Sequence, residues 1–270
     1  MQQSIFVLIL INCLIYSAIF IYVNQNNFVA FLNTGQGGGV LIKDGNNHFL
    51  YDVSANGAYV LRELKETLPF FVKTLDILFI SHPDKDHYLG VFDLLKRYKL
   101  RLVILSTTTS DDYLYQKFLS LLKEKRIPFI VLKRGSSLQT NNFHFFILNP
   151  PNNDNLKMKD NDRSLVLKIQ GKHSYLLTAD IEKKAIDSLL ACCRQFLISD
   201  YLLVPHHGSK YSLDESFYKA VQPKKVVIQV GRNNRYKHPH QQTLDFLYNL
   251  GFINNLWRTD YKGRLLITEI

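Results

Sequence analysis

The sequence predicts a mixed α and β chain, in a pattern that suits two β-sheets packed together with helices outside. Strand-like runs cluster at 28–53 and again at 138–178, and strand–helix units follow each cluster. The bulk properties agree. A chain of 270 residues, 46% hydrophobic and 21% charged, has an ordinary globular composition and length for one sizeable core or two small domains. No internal repeat and no second boundary appears after residue 27, so two parts are expected: 1–27 as a membrane anchor with a short linker, and 28–270 as one globular domain. The formal net charge of +10 suits polyanionic partners such as nucleic acid or anionic lipid, and equally suits simple solubility. Three cysteines, Cys13, Cys192 and Cys193, make neither a disulfide framework nor a cysteine zinc site.

Residues 4–23, SIFVLILINCLIYSAIFIYV, carry no charge over about twenty positions, the length that crosses a hydrocarbon core as a helix. Met1-Gln2-Gln3 lacks the basic start of a signal peptide, and Ile21-Tyr22-Val23 is no cleavage site. The stretch also lacks the polar face of a core helix, so an uncleaved transmembrane anchor is expected. Lys43 is the first charged side chain, which leaves the orientation open. Phe28–Leu32 then reads as a strand, followed by Asn33-Thr34-Gly35-Gln36-Gly37-Gly38-Gly39. No Lys-Ser/Thr pair follows those glycines, and Val40–Ile42 is another strand, so the segment predicts a hairpin turn and not a phosphate loop. His48–Val53 is a third strand. Helical spacing appears at 57–68 (Tyr59, Val60, Leu64) and 88–98 (Val91, Leu94, Leu95). Strands at 102–105 and 129–132 flank a helix at 111–125.

The chemistry centres on 75–90, LDILFISHPDKDHYLG. Leu75–Ile80 reads as a short buried strand, and directly after it come His82, Asp84, Asp86 and His87. Four candidate metal ligands within six residues, beyond a rigid strand end, can converge on one point. Imidazole with carboxylate suits divalent zinc or manganese. An Asp serving as a helix N-cap explains one such residue but not four. Tyr175–Asp180 repeats the design, an apolar strand delivering one carboxylate, although an Asp before the helix expected at 181–190 can also be its N-cap. Tyr201–Ser209 is a third strand ending in His206, His207, Gly208 and Ser209. In an extended chain adjacent histidines point to opposite sides, so one of the two is expected to face a given metal. After the strand Val226–Val230, Gly231–His240 combines three basic residues, an aromatic and two histidines, a composition that can hold a phosphodiester and stack a base.

These motifs carry a family resemblance. His82-x-Asp84-x-Asp86-His87 resembles the metallo-β-lactamase-fold signature His-x-His-x-Asp-His with Asp for the second His, a form similar to the hydrolase domain of ComEC-type DNA-uptake (competence) proteins. Asn33–Gly38 is similar to that domain's opening Asp-Val-Gly-Gln-Gly-Asp, but both acids are replaced. Asn161-Asp162-x-Ser164-Leu-Val-Leu, Leu176-Leu177-Thr178-Ala179-Asp180, Asn234-Arg235-Tyr236-Lys237-His238-Pro239 (with Lys where Gly is usual) and Arg258-Thr259-Asp260 match four further segments in order. The third-motif histidine of many relatives is missing.

The resemblance implies an αββα four-layer sandwich holding one or two divalent ions, Zn²⁺ or Mn²⁺. It implies His82, Asp84, Asp86, His87, Asp180 and His206 as metal ligands, with Asp86 or Asp180 positioning the attacking water. Asp52 would orient a ligand, with Asn161, Asp162 and Ser164 either beside the metals or capping the loop. His207, Ser209, Lys210, Arg232, Asn234, Arg235 and His238 would meet a phosphodiester. The implied activity is a nuclease or phosphodiesterase acting on DNA outside the membrane. ComEC-type proteins also carry a multi-helix channel, which this chain lacks, so a separate channel protein is an expected partner. Two other readings remain, a hydrolase of a small ester, thioester or lactam, and a metal- and DNA-binding scaffold without turnover.

Overall fold

The computed structural model describes residues 2–25, 27–152 and 158–269, with the side chains of the first helix described at 5–17. After helix α1 (Gln2–Gln25) come strands β1 (Phe28–Phe31), β2 (Val40–Asp44), β3 (Asn47–Tyr51), β4 (Thr74–Ile80), β5 (Lys99–Leu105) and β6 (Phe129–Val131). With the C-terminal strand they form one sheet. The second sheet contains β7 (Ser137–Gln139), β8 (His144–Asn149), β9 (Val166–Gln170), β10 (Ser174–Leu177), β11 (Tyr201–Leu203), β12 (Lys225–Ile228) and β13 (Leu256–Arg258). The last strand, β14 (Leu265–Thr268), crosses back and pairs antiparallel with β1 at the edge of the first sheet. Local sequence pattern does not encode such a return, and the sequence reading did not include it.

The apolar residues sort into three layers of core. Along β4, Ile77 and Phe79 face the second sheet and meet Phe145, Leu167 and Leu177, while Leu78 and Ile80 face helices. Both faces of the strand are buried, which is why it reads as a continuous apolar run and not as an alternation. On the first sheet's outer face pack α2 (Gly57–Thr67), α4 (Val91–Leu94) and α5 (Tyr113–Glu124), with the one-turn α3 (Lys85–Tyr88) before α4. On the second sheet's outer face pack α6 (Lys183–Cys193), α7 (Glu215–Val221) and α8 (Gln241–Asn249); α9 (Thr259–Lys262) is a single turn after β13. The order is helix, sheet, sheet, helix, as the resemblance implied. Strands β3 to β6 run parallel, as do β10 to β13, so the loops after β3, β4, β10, β11 and β12 can gather at one edge of the sandwich.

Two sequence expectations need adjustment. Helix α1 forms where the apolar stretch predicts, and Ile5, Phe6, Leu8 and Tyr16 lie exposed on it. Among the described residues, however, no helix is long and apolar enough to cross a membrane. The transmembrane helix is therefore not supported here. The adjacent Cys192 and Cys193 are joined to each other at the end of α6. The sequence reading did not include that link; closing a ring of only two residues, it removes little freedom from the unfolded chain.

Candidate metal centre

The first half of the centre is built by the parallel neighbours β3 and β4. Asp52, just past β3, is fully buried and sits at φ 59, in the left-handed region that aspartate tolerates better than most side chains. One of its oxygens accepts the Ser81 N–H at 2.8 Å, and the other lies 2.7 Å from His87 Nδ1. Ser81 Oγ is 2.9 Å from His82 Nδ1 and 3.2 Å from His87 Nδ1. Both imidazoles are thereby held by Nδ1, with Nε2 turned toward the centre. Asp84 occupies the N-cap position of α3 but makes no side-chain cap bond; its carboxylate lies 3.6 Å from His82 Nε2. The cap explanation for that residue fails on this geometry. Two glycines let the loop close: a Cβ on Gly90 would sit 2.0 Å from the Val53 carbonyl oxygen, and one on Gly37 2.2 Å from that of Asp86.

The second half comes from the other sheet. Asp180 follows β10, and it does not cap the helix after it. That helix starts at Lys183, and the N–H groups of Glu182 and Ala185 donate to Asp162 Oδ1 at 2.9 and 3.1 Å. Asp162 is the cap, which leaves the Asp180 carboxylate for the centre. Its Oδ1 lies 3.4 Å from both His87 Nε2 and His207 Nε2, and its Oδ2 lies 3.6 Å from His206 Nε2 and 4.0 Å from His82 Nε2. The chain at 206–207 is not extended. His206 and His207 take φ 50 and φ 54, a left-handed turn that brings both rings to one side, so the expectation that only one can face the centre is corrected. Of the two, His207 is buried, fixed by Nδ1 on the Gln229 carbonyl at 2.9 Å, and 3.6 Å from Asp86 Oδ2. His206 is more exposed, with Nδ1 3.3 Å from Glu182.

Two overlapping groups of possible ligand atoms result, His82, His87 and Asp180 in one and Asp86, His87 and His207 in the other, each within 4.8 Å. His82 Nε2, His87 Nε2, His207 Nε2 and Asp180 Oδ1 are buried without hydrogen-bond partners. Buried polar atoms left unpaired are costly, and divalent cations held by the two groups would satisfy them. The residues therefore fit one or two metal ions. Charge coupling inside the cluster is strong. Burial raises the Asp180 carboxyl, but His207, His87 and His206 outweigh it and hold the group well below its usual range. Burial lowers the His87 imidazole, and Asp180 and Asp52 outweigh that to raise it well above its usual range. His82 holds Asp84 low, while burial pushes His238 down to about 4, so its ring is neutral at pH 7.

The expected substrate-facing residues separate on inspection. Arg235 stacks on Tyr236 at 4.7 Å, and both line a cavity of about 790 Å³ with Asp84 and Asp86. Tyr236 in turn stacks on His238, whose ring centroid lies 5.5 Å from that of His206. Asn234 is spent on its own loop, donating to the carbonyls of Gly231 and His238 and accepting the His238 N–H. Lys237 sits at φ 57, where the usual glycine needs no explanation. Arg232 donates to the Asp260 carbonyl at 2.6 Å and lines a neighbouring cavity. Lys210 lays its ammonium over Tyr211, and Ser209 is buried as a cap for the following turn. Asn161 donates to Glu182 at 3.3 Å, and Ser164 is buried with its carbonyl accepting from Asn149.

Two residues at the centre were missed by the sequence reading. Gln229 is buried; its amide donates to the Leu32 and Gly39 carbonyls at 2.9 and 2.7 Å, tying the two sheets together beneath His207. A glutamine inside the apolar run Val226–Val230 was the available signal. Glu182, beside His206, carries no signal beyond following Asp180 by two.

No protein-family model matches the chain. It is 34% identical over 206 residues, 74% of its length, to ComE operon protein 3 of Bacillus subtilis, and 31% identical over 221 residues, 80% of its length, to Recombination protein 2 of Haemophilus influenzae. It spans 26% of the length of each. Among solved structures, it superposes on the metallo-β-lactamase fold protein YhfI of Bacillus subtilis with TM-score 0.57 and 16% identity, covering 90% of this chain and 100% of that one. CmlA, a diiron β-hydroxylase from Streptomyces venezuelae, gives 0.56 and 14% over 90% of this chain and 54% of its own. A diphosphatase of the PhnP family gives 0.52 and 12% over 90% and 98%. Such low identities establish the fold alone. The chain therefore has the metallo-β-lactamase fold and is homologous to about a quarter of the length of ComE operon protein 3 and Recombination protein 2.

Proposed function

We propose that the chain is a divalent-metal-dependent phosphodiesterase that cleaves DNA. The observation that carries this reading is the convergence of four buried, unpartnered ligand atoms, two from each sheet, beside a cavity lined by Arg235 and Tyr236. In this reading His82, Asp84, Asp86, His87, Asp180 and His207 hold one or two ions, with His206 alongside. A bound divalent ion supplies Lewis acidity toward a phosphoryl oxygen and acidifies a water. The chain's own groups do the rest. Asp52 and the Gln229 carbonyl fix the tautomers of His87 and His207, each keeping its proton on Nδ1. Asp86 orients the attacking water, and Arg235 meets the negative charge that builds on the phosphate. His238, neutral at pH 7, hydrogen-bonds substrate without adding a further charge to the cluster. The three carboxylates Asp84, Asp86 and Asp180 make the site harder than a histidine-rich one, which favours manganese beside zinc.

Relatives named for recombination and for competence support DNA as the substrate in this reading. The length of the uncharged stretch 4–23 is the ground for reading it as a membrane anchor; the extracytoplasmic side and a separate channel protein belong to this proposal only through the resemblance to DNA-uptake proteins. The test is digestion of single-stranded DNA by the purified protein with Mn²⁺ or Zn²⁺, beside Asp86→Asn. Metal-dependent cleavage that disappears in the variant is expected. Intact DNA after incubation with protein shown to have bound metal would refute the reading.

A further inference from the structure

Three cavities adjoin one another on this molecule. The one at the metal centre shares Gln36 and Asn234 with a second of about 510 Å³, and that one shares Arg62 with a third of about 680 Å³. Five carboxylates, Asp84, Asp86, Asp111, Asp112 and Asp160, line the first cavity, and one, Asp260, lines the second beside Arg62 and Arg232. Among the described residues no carboxylate lines the third, where Arg62, Lys65, Lys73 and Arg97 do. Aromatic faces accompany the cations. Tyr59 in α2 is 42% exposed, with the Arg62 guanidinium 5.1 Å from its ring, and Phe70 is 84% exposed at the far end. Helical spacing alone would put Tyr59 in the core; instead it faces the second cavity. At the first junction both polar atoms of the Gln36 amide are buried without a partner. An amide donor and acceptor held together there match what a base edge needs.

We propose that the three cavities form one track for single-stranded nucleic acid, running from the metal centre past Gln36 and over α2 to the loop at 68–73. The proposal rests on the phosphodiesterase reading of the centre and extends it to a polymer several nucleotides long. Basic groups following the backbone, with aromatic rings spaced among them for stacking, are the general design of single-strand binders. Exposed aromatics beside lysines also suit an anionic membrane. Here, however, the basic residues line concavities continuous with the metal centre, which fits a threaded strand better than a flat surface.

The experiment uses the full chain and two readouts. Fluorescence anisotropy in EDTA measures binding of labelled dT3 and dT12; hydrolysis of bis(p-nitrophenyl) phosphate with Mn²⁺ reports the metal centre alone. Wild type is expected to bind dT12 more tightly than dT3. The double variant Lys65→Glu/Lys73→Glu should weaken dT12 binding roughly tenfold or more and flatten its salt dependence by about 1.4 in slope, since two phosphate contacts are lost. Phe70→Ala should weaken dT12 roughly fivefold or more. Both variants should hydrolyse the small diester at the wild-type rate. Unchanged dT12 affinity and slope in the charge-reversed protein would overturn the track, as would an equal fall in binding and small-diester hydrolysis. So would weakened binding to phosphatidylglycerol vesicles with dT12 binding intact, which would assign the third cavity to lipid. A wild type that binds dT12 through these residues yet hydrolyses no diester would leave the track standing and remove the phosphodiesterase reading.

Discussion

Replacing Asp52 by asparagine exchanges one oxygen for an NH₂ group, yet it should cost the centre much of its metal affinity. Asparagine tolerates the left-handed backbone at φ 59 as well as aspartate does, and its remaining oxygen can still accept the Ser81 N–H. The atom facing His87 Nδ1 at 2.7 Å then becomes a donor. Two donors cannot face each other, so the His87 proton moves to Nε2, the atom 3.4 Å from Asp180. A ligand nitrogen carrying a proton has no lone pair for a metal. Loss of such an orienting group commonly costs ~10- to 100-fold in metal affinity, about 1.4–2.7 kcal/mol. Titration calorimetry of Mn²⁺ into chelator-treated Asp52→Asn and wild type measures it directly. Ser81→Ala is the companion, because it removes a hydroxyl 2.9 Å from His82 Nδ1 and leaves the Asp52–His87 contact in place. Wild-type affinity in Asp52→Asn, in a protein with an unchanged melting curve, would refute the assignment of His87 Nε2 to the metal.

Three further outcomes are expected. Gly90→Ala should destabilise the protein by about 2 kcal/mol or more in urea titrations, because its Cβ would meet the rigid Val53 carbonyl at 2.0 Å. Gln229→Ala should cost about 1–3 kcal/mol for the buried Leu32 carbonyl it orphans, the Gly39 carbonyl keeping the Leu32 N–H, read in the same titration, and a cost below 0.5 kcal/mol would show that the bridge between sheets is not needed. Burial holds the His48 imidazole down at about 4. Its unfolded value near 6.5 means that the unfolded chain binds more protons between those limits, so this stabilising contribution is full above pH 6.5 and lost as pH falls toward 4. His48→Leu should therefore remove about 3 kcal/mol of the stability difference between pH 6.5 and pH 4, measured by denaturation at the two values.

The parts of this molecule that were legible in its sequence are those encoded locally. The run Leu75–Ile80 with His82, Asp84, Asp86 and His87 behind it specifies a buried strand, which is present, and a cluster within sixteen residues, of which His82, Asp86 and His87 fall in groups able to hold a metal. What stayed illegible depends on partners far away in the chain. Asp180 is expected at the metals from its strand-end position, but its own segment fits a helix cap as well, and that alternative falls only when Asp162, eighteen positions earlier, is seen to take the cap bonds. The pair His206–His207 reads as extended, with rings on opposite faces, until the left-handed turn is seen. The His206 N–H on the Ala179 carbonyl at 2.9 Å ties that turn to the end of β10. The return of β14 to β1 leaves no trace in residues 265–268, which are an ordinary apolar run.

The same distribution explains why the centre sits at a seam. Neither sheet holds a complete set of the possible ligands: the first supplies His82, Asp86 and His87, the second Asp180 and His207. Ion binding thus requires the sheets to keep their relative position to within a few tenths of an ångström, and cores of apolar side chains alone specify position less sharply than directional bonds do. Two buried polar links supply that direction close to the ligands. Tyr51, at the end of β3, donates to the Leu165 carbonyl of the second sheet at 2.6 Å, and Gln229, at the end of β12, binds the hairpin between β1 and β2. Both links are adjacent in sequence or contact to a group that positions a ligand, Asp52 in one case and the carbonyl holding His207 in the other. Polar groups buried at the seam therefore set the geometry of the metal site as well as joining the two halves of the fold.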